Sequence, residues 1–325
     1  MNRLPTKRMY DKNAEPRRQS KSETFLIAVR KDFIKNRNIY FIALPVMIWY
    51  AIFMYAPMYG ATIAFKSFSP GLGINGSPWV GIKHFQDFFQ SYYFWRLLIN
   101  TLVISIYGVV FVFPAPIILA LMLNELRNRL YKSMVQTITY VPHFISLVVI
   151  CGLIVNFTKQ DGIVPYLIEF LGGENRNLLL DPNLFRPVYV ISELWQRVGW
   201  SSIIYLAALA AIDPELYQAA KIDGANRWRQ TWHITLPGIL PTVMILLILK
   251  MGTMLNVGFE KVMLLYNPST YITADVISTF VYRRGILEAN FSYAAAVGLF
   301  NSIITCILVI ASNRLSKKAT KISLW

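Results

Sequence analysis

Four long stretches of the sequence contain no charged residue, and they constrain the fold more than any other feature. They cover 38–65, 97–124, 133–158 and 289–313. An α-helix needs about 20 apolar residues to cross the roughly 30 Å of hydrocarbon in a bilayer, and each of the four stretches is longer than this. The four stretches therefore predict membrane-spanning helices.

Two further stretches have the length and apolar character of a span but contain charged residues. One covers 187–212 and includes Glu193 and Arg197, and the other covers 238–259 and includes Lys250. With them the sequence predicts an all-α polytopic membrane protein with six transmembrane helices. The predicted spans lie at about 40–65, 97–124, 134–157, 187–211, 238–260 and 290–312. Only 15% of the residues are charged, against about 25% in average soluble domains, which agrees with this class.

The distribution of basic residues predicts the orientation of the chain. A basic tail, 1–37, precedes the first span, and we expect it to be cytoplasmic, with an interfacial helix near 25–34. In this orientation the cytoplasmic segments, including a C-terminal tail at 313–325, hold 21 Lys or Arg, and the outer segments hold seven. The first apolar stretch is too long for a cleaved signal peptide. The net charge of +15 thus reflects topology and not nucleic-acid binding.

One predicted cytoplasmic segment, 213–237, has the pattern of a helical module. Asp213 is a good N-cap, Pro214 suits the first helical position, and Gly224 has the signature of a helix stop. A short surface helix with a small-residue face is suited to docking in a groove of another protein. The alternative is an amphipathic connector that lies on the lipid surface.

The same segment resembles the EAA motif of permease subunits in binding-protein-dependent ABC importers. The matching residues are Gln218, Ala219, Ala220, Gly224 and the terminal Ile-x-Leu-Pro at 234–237. Stretches such as 193–225 extend the resemblance over nearly the whole chain to the sugar-importer branch, most closely to permeases for complex oligosaccharides. The resemblance implies a type I ABC importer permease fold over 38–312, in a bacterial inner membrane, with a cytoplasmic coupling helix.

The resemblance also implies roles and partners. It assigns contact with the ATPase to Glu215, Gln218, Ala219, Ala220, Gly224, Leu236 and Pro237. The family usually has Glu where this chain has Gln218, so an ion pair with the ATPase is in doubt at this position, whereas a hydrogen bond remains open. The implied partners are a second homologous permease, a dimer of ATP-binding subunits, an extracytoplasmic solute-binding protein and membrane lipid. ATP and Mg are expected on the ATP-binding subunits, and no cofactor is expected in this chain.

Motifs of catalysis are missing from the sequence. It contains no GxxxxGK[ST] loop, HExxH, CxxC or GxSxG, and His84, His143 and His233 fall in separate segments. Cys151 and Cys306 fall inside predicted spans, where they are expected to be packing residues. We therefore expect a transport subunit with no catalytic or metal site. The alternatives are an integral membrane polysaccharide-modifying enzyme, which would need paired acids or a histidine cluster, and a membrane scaffold.

The charged residues inside the spans suggest where a substrate passes. Glu193 and Arg197 are four residues apart on one helix and can neutralise each other. Lys250 has no such local partner, and a buried charge usually faces a cavity or a partner. We expect Lys250 to face a polar cavity, and pairing with the second permease is the alternative. Pro114 and Pro116 predict a bend in the second span.

Sugar-binding sites combine aromatic faces with amide and hydroxyl groups. The predicted substrate-path residues are Trp195, Arg197, Trp200, Tyr205, Lys250, Asn256 and Asn301. Packing between helices is the alternative role for each of the aromatic and amide residues taken singly. The positive charge of Arg197 and Lys250 favours an anionic, uronate-containing oligosaccharide, such as an alginate or pectin fragment. A neutral oligosaccharide is the alternative substrate.

Overall fold

The computed structural model describes residues 34–321 together with 323 and 324. The basic tail and almost all of the interfacial helix expected near 25–34 lie outside the described residues. The described residues are helical and contain no strand beyond one isolated bridge between Lys66 and Trp79. This outcome confirms the predicted all-α class.

Sixteen α-helices follow one another in the described part of the chain. They are α1 (Arg37–Tyr50), α2 (Gly73–Gly76), α3 (Lys83–Phe89), α4 (Phe94–Tyr107), α5 (Pro114–Glu125), α6 (Arg129–Phe144), α7 (Leu147–Thr158), α8 (Ile163–Phe170), α9 (Pro182–Ala210), α10 (Pro214–Ile222), α11 (Arg227–Gln230), α12 (Leu236–Gly252), α13 (Phe259–Leu265), α14 (Tyr271–Ala274), α15 (Ile277–Tyr282) and α16 (Phe291–Thr320). Four π-helical turns lie at Ala51–Tyr55, Gly108–Val112, Thr231–Thr235 and Arg283–Leu287. The 3-10 helices are Ala56–Phe65, Leu178–Leu180 and Pro268–Thr270.

Five helical stretches of the described residues are long and apolar enough to cross a membrane. They are Arg37–Phe65, Phe94–Glu125, Leu147–Phe170, Arg227–Gly252 and Phe291–Lys318. The sixth predicted span corresponds to α9, whose 29 residues are also long enough, at about 1.5 Å of rise per residue. Because α9 is more polar than the other five, the total of six spans stays a prediction.

Three of the π-helical turns come directly before a proline. In each, the residue that precedes Pro57, Pro114 or Pro237 donates its backbone N–H to the carbonyl five residues earlier. A proline ring crowds the carbonyl four residues before it, and the wider turn makes room for that carbonyl. The interruption that the sequence predicts at Pro114 is therefore present, as a π-helical turn.

The predicted third and fifth spans differ from the observed helices. The span at 134–157 is not one helix, because Ile145 and Ser146 are extended and the Ser146 side chain caps the start of α7. The span at 238–260 starts earlier and ends earlier than predicted. Its helical stretch begins at Arg227, inside the predicted cytoplasmic segment, and ends at Gly252. The residues from 253 to 258 are non-helical.

The chain divides into two compact units, Met1–Gly60 and Ala61–Trp325. In the first unit, α1 buries none of its side chains and presents apolar residues on all sides. The second unit holds three buried clusters. One joins α7, α9 and α13 through residues such as Ile150, Phe185 and Val262. The others join α4 with α15 and α16, and α5 with α9 and α12.

Candidate functional site: a coupling helix and a cationic cavity

The coupling segment forms a capped helix, as its sequence predicts. The Asp213 carboxylate accepts the backbone N–H of Glu215 at 2.9 Å, and Pro214 occupies the first turn of α10. The negative side chains of Asp213 and Glu215 also lie at the positive end of the helix dipole. Local sequence chemistry thus starts this helix without help from tertiary packing.

Gly224 ends α10 with a left-handed turn. Its φ is +73°, and a Cβ built on it would meet no atom within 4 Å. The backbone N–H of Gly224 donates to the Lys221 carbonyl at 3.1 Å, and that of Ala225 donates to the Ala220 carbonyl at 2.8 Å. These two bonds form a Schellman motif, which requires a residue that tolerates positive φ.

The coupling helix has no buried side chain, so its faces are open to a partner. Glu215, Gln218 and Ala219 are exposed, and Ala220 is half-buried. A hydrogen bond of 3.0 Å between the Tyr217 hydroxyl and the Thr235 hydroxyl joins this helix to the residues that precede α12. The remaining predicted residues, Leu236 and Pro237, begin α12 instead of lying in a loop.

A polar cavity of about 240 Å³ lies between α4, α9 and the non-helical residues after α12. Arg197, Lys250 and Asn256, three of the predicted path residues, line it together with Glu193. Gly108, in the π-helical turn after α4, also lines it and leaves space where a side chain would lie. The structure thus brings together residues that are separated by more than 140 positions in the sequence.

The Glu193 carboxylate is shared by two cations. Arg197 Nε lies 2.6 Å from Glu193 Oε1, and Lys261 Nζ lies 3.0 Å from Glu193 Oε2. Lys261 also donates to Gln196 Oε1 at 3.4 Å, and its side chain is only 2% exposed. The Arg197 side chain is 59% exposed, so its remaining N–H donors are open to a ligand.

Lys250 adds a third positive charge to the cluster. No ion pair or side-chain hydrogen bond joins its ammonium group to another residue in the part of the chain that the structure describes. Two cations and one carboxylate therefore line the cavity, and the same carboxylate is also paired with the buried Lys261. Because charges of like sign at close range raise the energy of the empty site, an anionic group is the ligand that such a site favours.

The amide side chains of Asn256 and Asn301 meet at the edge of this cavity. Asn301 Nδ2 donates to Asn256 Oδ1 at 3.3 Å. Both residues also line a second, mainly apolar cavity of about 580 Å³ beside α15 and α16. Of these two predicted path residues, Asn256 therefore lines both cavities, whereas Asn301 lines the apolar one.

The predicted aromatic residues have different surroundings. The Trp200 ring stacks on the His143 ring, with centroids 4.6 Å apart and planes 4° from parallel, and it is partly exposed. Trp195 is partly exposed as well. The Tyr205 ring is buried in the cluster that includes Leu209 and Ile239, and it does not line the cavity.

Sequence reasoning missed Lys261, because the residue follows the predicted fifth span and was assigned to the outer side. It also missed a second buried carboxylate. Asp275 accepts hydrogen bonds from Arg283 at 2.6 Å and from the Thr279 hydroxyl at 2.8 Å. Burial disfavours the charged form of Arg283, but the hydrogen bond and charge of Asp275 outweigh it, so the pKa of Arg283 lies above its usual value. No local pattern in the sequence signals either contact.

A bundle of long apolar helices with a capped surface helix and a polar cavity fits the architecture of a transport permease. The chain belongs to the family described as binding-protein-dependent transport system inner membrane component, whose model matches residues 112–321. Permeases of this family work with a solute-binding protein, and ATP hydrolysis is performed by a partner chain. The chain is therefore a transport subunit of an inner membrane and has no ATPase site of its own.

Two curated relatives from Bacillus subtilis (strain 168) match almost the whole chain. One is the polygalacturonan/rhamnogalacturonan transport system permease protein YteP, which is 48% identical over 88% of this chain and 89% of the relative. The other is protein LplB, which is 44% identical over 92% of this chain and 93% of the relative.

Solved structures of similar chains share the fold. A chain of a bacterial ABC transporter involved in the import of the acidic polysaccharide alginate has a TM-score of 0.83 and is 43% identical, over 90% of this chain and 99% of that chain. A chain of a bacterial alginate ABC transporter in complex with an alginate pentasaccharide-bound periplasmic protein has a TM-score of 0.83, is 42% identical and has the same coverage. This likeness confirms the predicted ABC importer permease fold.

Proposed function

We propose that this chain forms half of the translocation path for an anionic, uronate-containing oligosaccharide. The observation that carries the proposal is the cavity lined by Arg197, Lys250 and one carboxylate, Glu193, whose charge is already paired with Arg197 and with the buried Lys261. The names of the relatives support it, because polygalacturonan and alginate are acidic polysaccharides. A second homologous permease supplies the other half of the path.

Each wall of the path has a separate role in this proposal. Lys250 and the open donors of Arg197 bind carboxylates. The amides of Asn256 and Asn301 bind sugar hydroxyls, and the exposed faces of Trp195 and Trp200 pack on the apolar faces of sugar rings. Tyr205 supports the helix from inside the bundle.

The coupling helix transmits the conformational change of a dimer of ATP-binding subunits, which bind ATP and Mg. In the proposed cycle, α10 docks in a groove of one subunit through Gln218, Ala219 and Ala220, with Glu215 at the helix start. Movement of α10 then reaches α12 through the Tyr217–Thr235 hydrogen bond and through Leu236 and Pro237 at the start of α12. Both termini lie in the cytoplasm, on the same side as α10.

Substitution of Lys250 tests the charge of the path. Lys250→Met removes the charge at nearly constant length, and Lys250→Arg retains it. A hydrogen bond to a charged group contributes about 1.5–3 kcal/mol, so Lys250→Met is expected to reduce uptake efficiency for an acidic oligosaccharide by roughly 10- to 150-fold. The measurement is uptake by proteoliposomes that contain the full importer and its solute-binding protein.

The matched substrate control is the same oligosaccharide with its carboxyl groups reduced to alcohols. Its uptake is expected to change little in Lys250→Met, and Lys250→Arg is expected to retain acidic uptake. A third variant, Lys83→Gln, removes an exposed lysine far from the cavity in sequence and controls for net charge. Equal losses for the acidic and the reduced substrate would contradict the proposal and favour a path for neutral oligosaccharides.

A further inference from the structure

A groove of about 580 Å³ lies between the end of α5 and the residues that lead into α12. None of the substrate-path residues lines it. One wall consists of apolar residues of α5, including Ile118 and Met122, whose side chains are exposed. Because α5 belongs to a membrane-crossing stretch, this wall lies at the depth of lipid hydrocarbon.

Two tryptophans form the opposite wall. Trp228 and Trp232 are four residues apart, their ring centroids lie 6.0 Å apart, and both rings are exposed. Tryptophan rings favour the level of lipid head groups, where one end is apolar and the other is wet. The groove therefore passes from hydrocarbon depth to head-group depth within one continuous surface.

The rim of the groove carries one acid and one base. Arg227 Nη1 lies 3.4 Å from Glu125 Oε2, and the two side chains are 57% and 48% exposed. An exposed ion pair of this kind contributes little to stability, so each partner is available to another charged group. The pair is complementary to a head group that carries an ammonium and a phosphate side by side.

We propose that the groove binds one molecule of a zwitterionic aminophospholipid, phosphatidylethanolamine. Its ammonium group donates hydrogen bonds to Glu125, its phosphate accepts them from Arg227, and an acyl chain packs on Ile118 and Met122. A choline head group has no N–H donor for Glu125, and a glycerol head group has no positive charge for it. The site therefore distinguishes phosphatidylethanolamine from both.

Occupation of this groove reaches the coupling helix. Thr235 lines the groove, and its hydroxyl is the partner of the Tyr217 hydroxyl in α10. A lipid that fixes the conformation of the groove also fixes the position of Thr235, to which α10 is hydrogen-bonded. This inference does not depend on which oligosaccharide the importer carries.

The test measures which lipids the intact importer retains. The importer is purified by an affinity tag on this chain and analysed by native mass spectrometry. Phosphatidylethanolamine, phosphatidylcholine and phosphatidylglycerol are added in turn at equal concentration. One phosphatidylethanolamine is expected to be retained, and Glu125→Gln is expected to weaken its retention about tenfold, because a charge-assisted hydrogen bond is lost. The matched control is Glu174→Gln, which removes an exposed acid whose nearest cation is Arg176, at 3.9 Å, and is expected to retain the lipid unchanged.

A second variant blocks the groove instead of changing its charge. Met122→Trp fills the apolar wall, and it is expected to abolish retention of the phospholipid while the subunits remain assembled. Equal retention of the three lipids would overturn the proposal, and so would a Glu125→Gln variant that behaves as the unmodified protein. Absence of any retained phospholipid would also overturn it and would indicate that a neighbouring subunit covers the groove.

Discussion

Gly224 offers the sharpest test of the coupling helix, because its role is separable from packing. A Cβ at this position would meet no atom of this chain within 4 Å, so within the chain an alanine there changes only the backbone preference. At φ +73° an L-residue such as alanine costs about 1–2 kcal/mol relative to glycine. This cost corresponds to a five- to thirtyfold smaller population of the left-handed turn relative to competing conformations.

The expected order of coupling follows from this cost. Gly224→Asn is expected to retain most of the coupling, because asparagine tolerates the left-handed region. Gly224→Ala is expected to reduce the coupling up to thirtyfold, and Gly224→Val is expected to reduce it further. The assay is substrate-stimulated ATP hydrolysis by the reconstituted importer, together with membrane insertion of each variant as a control. Stimulation by Gly224→Val equal to that of the unmodified protein would refute the role of this turn.

Two further substitutions test the packing and the charge of the bundle. A Cβ on Gly199 would lie 2.1 Å from the Thr139 carbonyl oxygen, so Gly199→Ala is expected to destabilise the bundle by about 1–3 kcal/mol. The matched control is Gly152→Ala, which is expected to be neutral because its Cβ meets nothing within 4 Å. Equal melting temperatures of the two variants would contradict that close approach. Glu193→Gln leaves the buried Lys261 without a counter-charge and is expected to cost about 3–5 kcal/mol, with recovery when Lys261→Met is added. A melting temperature that falls further in the double variant would contradict the pairing.

The coupling helix was predictable from sequence because each of its signals is local. Asp213 and Pro214 start α10, and Gly224 ends it, within hydrogen-bonding distance of their own neighbours. The apolar stretches were predictable for a related reason, since a span depends on length and composition. The sequence alone therefore predicted the class of fold and the capped helix within 213–237.

The cavity was predictable only in part. The positions of Arg197 and Lys250 follow from the cost of charge inside a span. The Lys261–Glu193 pair joins residues 68 positions apart and depends on where α12 ends. That end is at Gly252, and the sequence contains no proline or charged residue from 253 to 259 that would indicate it. Because the predicted fifth span extended to 260, the pairing of Lys261 with Glu193 was not anticipated.

The central claim is that this permease moves an acidic oligosaccharide through a cationic path. The most direct measurement is ATP hydrolysis by the reconstituted importer, with its solute-binding protein loaded with either a uronate oligosaccharide or the carboxyl-reduced form. The account predicts that stimulation requires the binding protein and is greater for the acidic form. Equal stimulation by the two forms, or stimulation without the binding protein, would contradict it.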